Sequence, residues 1–196
     1  MERYTNNCRF ILSCNYSSKI IEPIQSRCAV YRFRPLSDNA VAERVLFVAR
    51  NEELDIAEDG VEAILYVAQG DMRKAINALQ AAALVAETIH KDAIYKITAT
   101  ARPEQIHELI ETALEGNFSA SRKHLERLLL EQGLSGEDIV GQIYRAMFEI
   151  DIPEKEMVKL IDVIGEIDFR LTEGANERIQ LESLLAHFAL SGKESN

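Results

Sequence analysis

The sequence predicts a mainly α-helical chain in which the end of an α/β sheet precedes the helices. An apolar run at Phe10–Cys14 is typical of a strand buried on both faces of a parallel sheet. From residue 37 onward, apolar residues recur at helical spacing, and capping residues separate the periodic segments. The chain has 196 residues, of which 47% are hydrophobic, so it can form one core or two small ones.

The predicted strand at Phe10–Cys14 ends at Asn15. Ligands of open α/β sheets bind beyond the carboxyl ends of the strands, so Asn15 is placed to contact a ligand. A parallel strand needs neighbours for its backbone hydrogen bonds, and we expect those neighbours upstream. From the residues alone, Asn15 is an equally good turn former.

A helical turn at about 17–24 and a short strand at Cys28–Phe33 are predicted next. Arg27 lies between them, at an expected sheet edge. Its planar, permanently charged guanidinium suits a phosphoryl group. The alternative is a surface arginine paired with Glu22.

Three helices follow, with Ser37 as the cap of the first. They extend to about Arg50, from about Glu58 to Gln69, and from Asp71 to about Ala86. Gly70 is predicted to terminate the second helix. A short, weak helix at 91–100 precedes a joint at 98–103.

Arg73 and Lys74 are unusual because cations in the first turn of a helix oppose the helix dipole. An anion held by free backbone N–H groups and both side chains would remove this penalty. The alternative is a pair of ordinary surface charges near acidic residues.

Five amphipathic helices with short connectors complete the chain and predict an antiparallel bundle. They are expected from Pro103 to about Leu114, from Phe118 to about Gln132, from Ser135 to about Ile150, from Pro153 to about Leu171 and from about Ala175 to Leu190. Residues 192–196 are predicted to be a frayed tail. Some apolar residues fall beside the main stripe, which indicates either a wider core face or a subunit interface: Val140, Phe148, Val158 and Val163.

Three motifs in the same order and spacing resemble a known family. They are Ser-Cys-Asn-Tyr around Asn15, Ser-Arg-Cys around Arg27, and Gly-Asp-Met-Arg-Lys at residues 70–74. The chain resembles the carboxyl-terminal part of the replication factor C small subunits, the AAA+ sliding-clamp loaders of archaea and eukaryotes. The resemblance implies the end of an AAA+ core at 1–35, a three-helix lid at 36–100, a five-helix collar for ring assembly at 101–191 and a tail at 192–196.

The same resemblance implies roles for three residues. Asn15 matches sensor 1, Arg27 matches an arginine finger that reaches into the neighbouring subunit's ATP site, and Arg73 matches sensor 2, which contacts the γ-phosphate of ATP. The implied partners are other clamp-loader subunits, the sliding clamp and primer–template DNA, with no membrane partner. The full-length family member would be an ATPase that uses ATP with Mg²⁺ to load the clamp.

The chain has no Gly-x-x-x-x-Gly-Lys-Ser/Thr phosphate loop and no Asp-Glu pair after an apolar strand. We therefore expect this chain alone not to hydrolyse ATP, and to bind no cofactor tightly. Alternatives to the clamp-loader hypothesis are a helical scaffolding domain without a nucleotide role and a subunit of another AAA+ machine.

The net charge of −10 is unevenly distributed. Residues 1–34 carry six basic and two acidic residues, and the remaining residues carry 16 basic and 30 acidic ones. Because the acidic part of the chain after residue 34 repels a phosphate backbone, we expect no tight DNA binding by the chain alone. The absence of a long apolar run favours a cytoplasmic location if the protein is archaeal and a nuclear one if it is eukaryotic. Cys8, Cys14 and Cys28 are expected to be buried thiols.

Overall fold

The computed structural model describes residues 7–194, with side chains through Gly192. Within this part of the chain the fold is mainly α, with ten α-helices and one pair of two-residue strands. Residue contacts divide the chain into two compact units, one up to Pro35 and one from Leu36 onward. No helix in the described part is long and apolar enough to cross a membrane.

The first unit contains no strand in its described residues, so both strand predictions for it are wrong. The segment at 8–14 is irregular, with Ile11 96% exposed, and Cys28–Phe33 is likewise irregular. The physical reason is that no described segment offers the backbone partners that a parallel strand needs. Exposure of this segment also contradicts the prediction of buried thiols, because Cys8 and Cys14 are exposed and Cys28 is half-buried.

The helical turn predicted in this unit is present as two short pieces. A 3₁₀ turn covers Ser17–Lys19, and helix α1 covers Glu22–Gln25. The Gln25 side chain donates to the carbonyl oxygens of Ser17 at 2.8 Å and Ile20 at 2.6 Å. These bonds hold the two pieces together.

The second unit begins with helices α2–α5, which we call the first helical group. Their bounds are Asp38–Asn51, Glu58–Ala68, Met72–Ala83 and Lys91–Ile97. Between them lie β1 (Asp55–Ile56) and β2 (Thr88–Ile89), which pair in parallel. The sequence did not indicate these strands because two residues are too short to show a period.

Local chemistry explains the helix ends of this group. Ser37 caps α2 as predicted, and its hydroxyl accepts from the Ala40 N–H at 3.4 Å. The left-handed residue at the end of α3 is Gln69, with φ of 49°, and Gly70 follows with φ of 78°. Thus two successive residues, rather than Gly70 alone, make the turn into α4.

Helices α6–α10 form the second helical group, and all five were predicted. They cover Pro103–Leu114, Phe118–Leu130, Gly136–Ala146, Glu154–Thr172 and Glu177–Glu194. Helix α10 continues beyond the predicted end at Leu190 into the expected tail, of which residues 195 and 196 lie outside the described part.

Each helical group has its own hydrophobic core. The first core extends from Val41 to Ile94, and the second from Ala101 to Phe188. At about 25 cal/mol per Å² of buried apolar surface, these cores supply most of the driving force for folding. The division of the chain into a lid and a collar at residue 100 nevertheless stays a prediction.

A charged network ties α10 to α7 on the surface of the second group. Glu182 accepts from Arg178 Nε and Arg122 Nε, both at 2.9 Å. Hydrogen bonds from Arg178 and then Arg122 hold the pKa of Glu182 below its ordinary value. The carboxylate form is therefore the one that stabilises this contact.

Candidate functional site

The amino-terminal end of α4 holds the predicted anion contact, Arg73. Asp71 caps this helix, and its Oδ1 accepts from the backbone N–H groups of Arg73 at 2.8 Å and Lys74 at 3.2 Å. One of the two interpretations of the sequence had an anion at these N–H groups, and the structure contradicts that part of it because Asp71 accepts from both. The chain supplies its own carboxylate, which also offsets the dipole penalty of the two cations.

The Arg73 side chain itself is exposed. Within the described part of the chain, it makes no hydrogen bond or ion pair. A guanidinium in this state is available to an external anion. Any such anion would be bound by side chains rather than by the end of the helix.

Asn15 and Arg27 lie in the first unit, so no single compact unit contains all three predicted site residues. Asn15 is exposed at a bend before the 3₁₀ turn, and no strand precedes it. Arg27 is exposed after α1, and its Nη1 donates to the Pro23 carbonyl oxygen at 2.7 Å. This bond orients the guanidinium next to the short helix instead of at a sheet edge.

Arg145 of α8 connects the two helical groups, and no sequence pattern predicted this role. Its Cζ lies 5.7 Å from the centroid of the Tyr66 ring in α3. The Gln69 amide lies against the face of the guanidinium; with its oxygen turned toward the group, that oxygen is 2.7–3.1 Å from the three guanidinium nitrogens. We call this contact the Arg145 latch.

The side chains around the latch are partly shielded from solvent. Burial raises the pKa of Tyr66, against the opposing hydrogen bond and charge of Arg145. The Tyr95 ring stands edge-on to Tyr66 with centroids 6.1 Å apart, and burial raises the pKa of Tyr95 to about 12. Nearby, Arg102 Nη2 pairs with Asp92 Oδ1 at 2.9 Å, an exposed pair that adds little stability.

The apolar residues beside the main stripe of the second group separate into two kinds. Val140 is buried, and Val163 packs against the second core, so the wider-core interpretation holds for them. Phe148 and Val158 are 52% and 63% exposed. Other large exposed apolar residues of this group are Leu130, Phe169, Ile179 and Leu190.

The described residues contain no group of three or more His, Cys, Asp or Glu side chains that could hold a metal ion. The described residues also include exposed arginine side chains and exposed apolar residues on helix faces.

Comparison with known proteins identifies first the class of domain and then the protein family to which the chain belongs. Residues 101–187 match the sequence model of the family described as "Replication factor C C-terminal domain", which defines the second helical group as a domain of this class. Over nearly its full length, the chain is similar to archaeal proteins named "Replication factor C small subunit". The chain belongs to the family of replication factor C small subunits, and it matches their carboxyl-terminal portion.

Three relatives illustrate the similarity. The Methanosarcina barkeri protein is 64% identical, with 99% of this chain and 61% of the relative covered. The Archaeoglobus fulgidus protein is 56% identical, with 99% and 61% covered. The Haloarcula marismortui protein is 54% identical, with 96% and 58% covered. The chain thus spans about three fifths of the length of these relatives, and because they are archaeal, the nuclear alternative receives no support.

Proposed function

We propose that this chain serves as the carboxyl-terminal portion of a clamp-loader small subunit. The whole protein would couple ATP binding and hydrolysis to loading a sliding clamp onto primed DNA. The single observation that carries this proposal is the 64% identity across 99% of the chain to a protein named "Replication factor C small subunit".

The proposed role of Arg73 is to contact the γ-phosphate of ATP bound by its own subunit. Its support is an exposed guanidinium that has no partner within the described residues, at the start of α4. Because Asp71 occupies the nearby N–H groups, the contact would depend on the side chain alone. ATP with Mg²⁺ would supply the phosphoryl group, and Arg73 would position its terminal charge.

The proposed role of Arg27 is to reach the ATP site of a neighbouring subunit, and that of Asn15 is to orient the attacking water or the γ-phosphate. An arginine placed on a transferring phosphoryl group accelerates the reaction by orders of magnitude. The exposure of both side chains is compatible with these roles. This chain alone would supply nucleotide sensing, the finger in trans and ring assembly, without turning over ATP.

Charge-preserving substitutions in a full-length protein that contains this sequence test the residue roles. Arg27→Lys keeps the charge but loses the planar fork, so we expect ATP turnover by the assembled ring to fall by at least about tenfold. Arg73→Lys should mainly weaken nucleotide binding. Arg32→Lys, at another exposed arginine of the first unit, is the matched control and should leave turnover unchanged.

If all three variants hydrolyse ATP like the parent protein, the nucleotide roles are wrong and a helical scaffolding function becomes the better explanation. Ring assembly is tested separately by light scattering of the 196-residue chain over a range of concentrations. A mass that rises with concentration supports assembly through the second helical group. A monomer at every concentration means that these helices do not suffice for assembly.

A further inference from the structure

A cleft of about 490 Å³ lies where the two helical groups meet. Helix α4 forms one wall, helix α8 forms the other, and the carboxyl-terminal ends of α3 and α5 complete it. We call it the junction cleft. It is distinct from Arg73, which does not line it, and its volume is that of a small-molecule site.

Gln142 of α8 is the most unusual residue of the junction cleft. Its side chain is only 2% exposed, yet its Oε1 is buried with no hydrogen-bond donor among the described residues. A buried acceptor without a donor is costly, and native proteins seldom leave one. Because the terminal torsion of glutamine is broad, this acceptor can turn toward a donor held in the cleft.

The charges around Gln142 favour a donor that is also a cation. Glu137 and Asp138 bring two carboxylates to the same wall, and neither forms an ion pair with a described residue. Asp138 accepts from the Ser135 hydroxyl at 2.6 Å, which leaves its negative charge in place. The carbonyl end of α3 carries a partial negative charge and the amino end of α8 a partial positive one, so the helix dipoles largely offset each other at the cleft.

Two cations, Lys74 and Arg145, also line the junction cleft. The Arg145 guanidinium contacts the Gln69 amide and the Tyr66 ring, which are both neutral, so its positive charge remains. The preference for a cation therefore depends on the Gln142 acceptor that lacks a donor and on Asp138, which lies four residues before it on the same face of α8. The latch thus shows that the walls of this cleft accommodate a guanidinium. Lys74 is exposed, so its ammonium can remain in water.

We infer that the junction cleft binds a small organic cation rich in N–H donors, with a guanidinium or primary ammonium donating to Gln142 Oε1 and the Glu137 and Asp138 carboxylates. All three of these groups belong to α8, so the amino-terminal half of this helix would supply the polar contacts. This inference does not depend on the proposed clamp-loader function.

The test uses the 196-residue chain and isothermal titration with agmatine, a short molecule that carries one guanidinium and one ammonium. We expect saturable binding, and no binding of tetramethylammonium, which has the charge but no N–H donor. Gln142→Met keeps the size of the side chain and removes the acceptor, so it should weaken agmatine binding about tenfold. Glu137→Gln, at an exposed position, should weaken it a few-fold without changing the fold.

Three outcomes would overturn the inference. One is the absence of agmatine binding to the parent chain. Another is equal binding of agmatine by the parent chain and by both variants, which would mean a diffuse attraction to an acidic protein. The third is saturable binding of inorganic phosphate that Gln142→Met weakens, because the cleft would then be an anion site built on Lys74 and Arg145. Circular dichroism of each variant establishes that it is folded before titration.

Discussion

Replacing Arg145 tests whether the latch joins the two helical groups. Arg145→Met keeps much of the aliphatic stem and removes the guanidinium that contacts Gln69 and Tyr66. The Gln69 oxygen lies over the guanidinium face and is not in line with an N–H, so we expect this charge–dipole contact to contribute about 1 kcal/mol. The partly exposed cation–π contact contributes about 0.5–1 kcal/mol. Because the side chain is only half-buried, we expect the free energy of unfolding to fall by about 2 kcal/mol.

Urea unfolding followed by circular dichroism measures this change. Arg127→Met is the matched control, because Arg127 is an exposed arginine of α7 whose side chain makes no hydrogen bond, ion pair or ring contact with a described residue. It should change stability by less than about 0.5 kcal/mol. A double-mutant cycle of Arg145→Met with Gln69→Ala should give a coupling of about 1 kcal/mol or more. If Arg145→Met behaves like the control and the coupling is within error, the latch contributes nothing to the junction.

The remaining predictions each depend on one local contact. Gly60→Ala would press a methyl group against the carbonyl oxygen of Ile89, and we expect it to lower the free energy of unfolding by about 1–3 kcal/mol. Gly165→Ala lies in α9, where an added Cβ meets no atom within 4 Å, so we expect it to raise the free energy of unfolding by about 0.5–1 kcal/mol. If the urea midpoints of the two variants shift in the same direction, the packing at one of the two sites is contradicted. Asp71→Ala should cost about 1 kcal/mol because α4 loses its cap, and Asp71→Asn, which retains an acceptor, should recover most of that loss in the same assay. Two arginines lower the pKa of Glu182, so its stabilisation is complete above the unfolded-state pKa and is lost as the pH falls through the folded-state pKa. Glu182→Gln should therefore be less stable than the parent chain at neutral pH, and the difference should shrink between about pH 5 and pH 3 in thermal unfolding; a difference independent of pH would refute it.

The helices were predictable because their signals are local. Ser37, Asn117 and Ser135 each accept from a backbone N–H as helix caps, and apolar residues at helical spacing identify the faces that form the cores. Strands behave differently, since their hydrogen bonds come from elsewhere in the chain. The apolar run at Phe10–Cys14 has strand character but no strand partner between residues 7 and 194, whereas β1 and β2 pair without any sequence pattern.

The candidate sites likewise divide into features that local sequence predicts and features that depend on contacts between distant parts of the chain. The anion contact of Arg73 was predicted from its place in the first turn of a helix and from the family resemblance; its exposure is compatible with that role, which stays a prediction. The carboxylate of Asp71, two residues earlier, changes how such a contact can form. Gln142 and Arg145 line one cleft together with residues of α3 and α4, and no pattern within a single helix predicts that arrangement. Only a polar Gln142 three residues after the core residue Ile139 could have drawn attention to this wall.

The separation of the two hydrophobic cores has a mechanical consequence. Each core is a stiff body, because close-packed side chains resist deformation. The junction between the two cores is easier to deform. It consists of a five-residue connector at 98–102, the Arg145 latch, exposed ion pairs and the junction cleft. A force applied to α4 would therefore bend the second unit at this junction before it strained either core, and the stiffness of the bend would be determined by a few polar contacts.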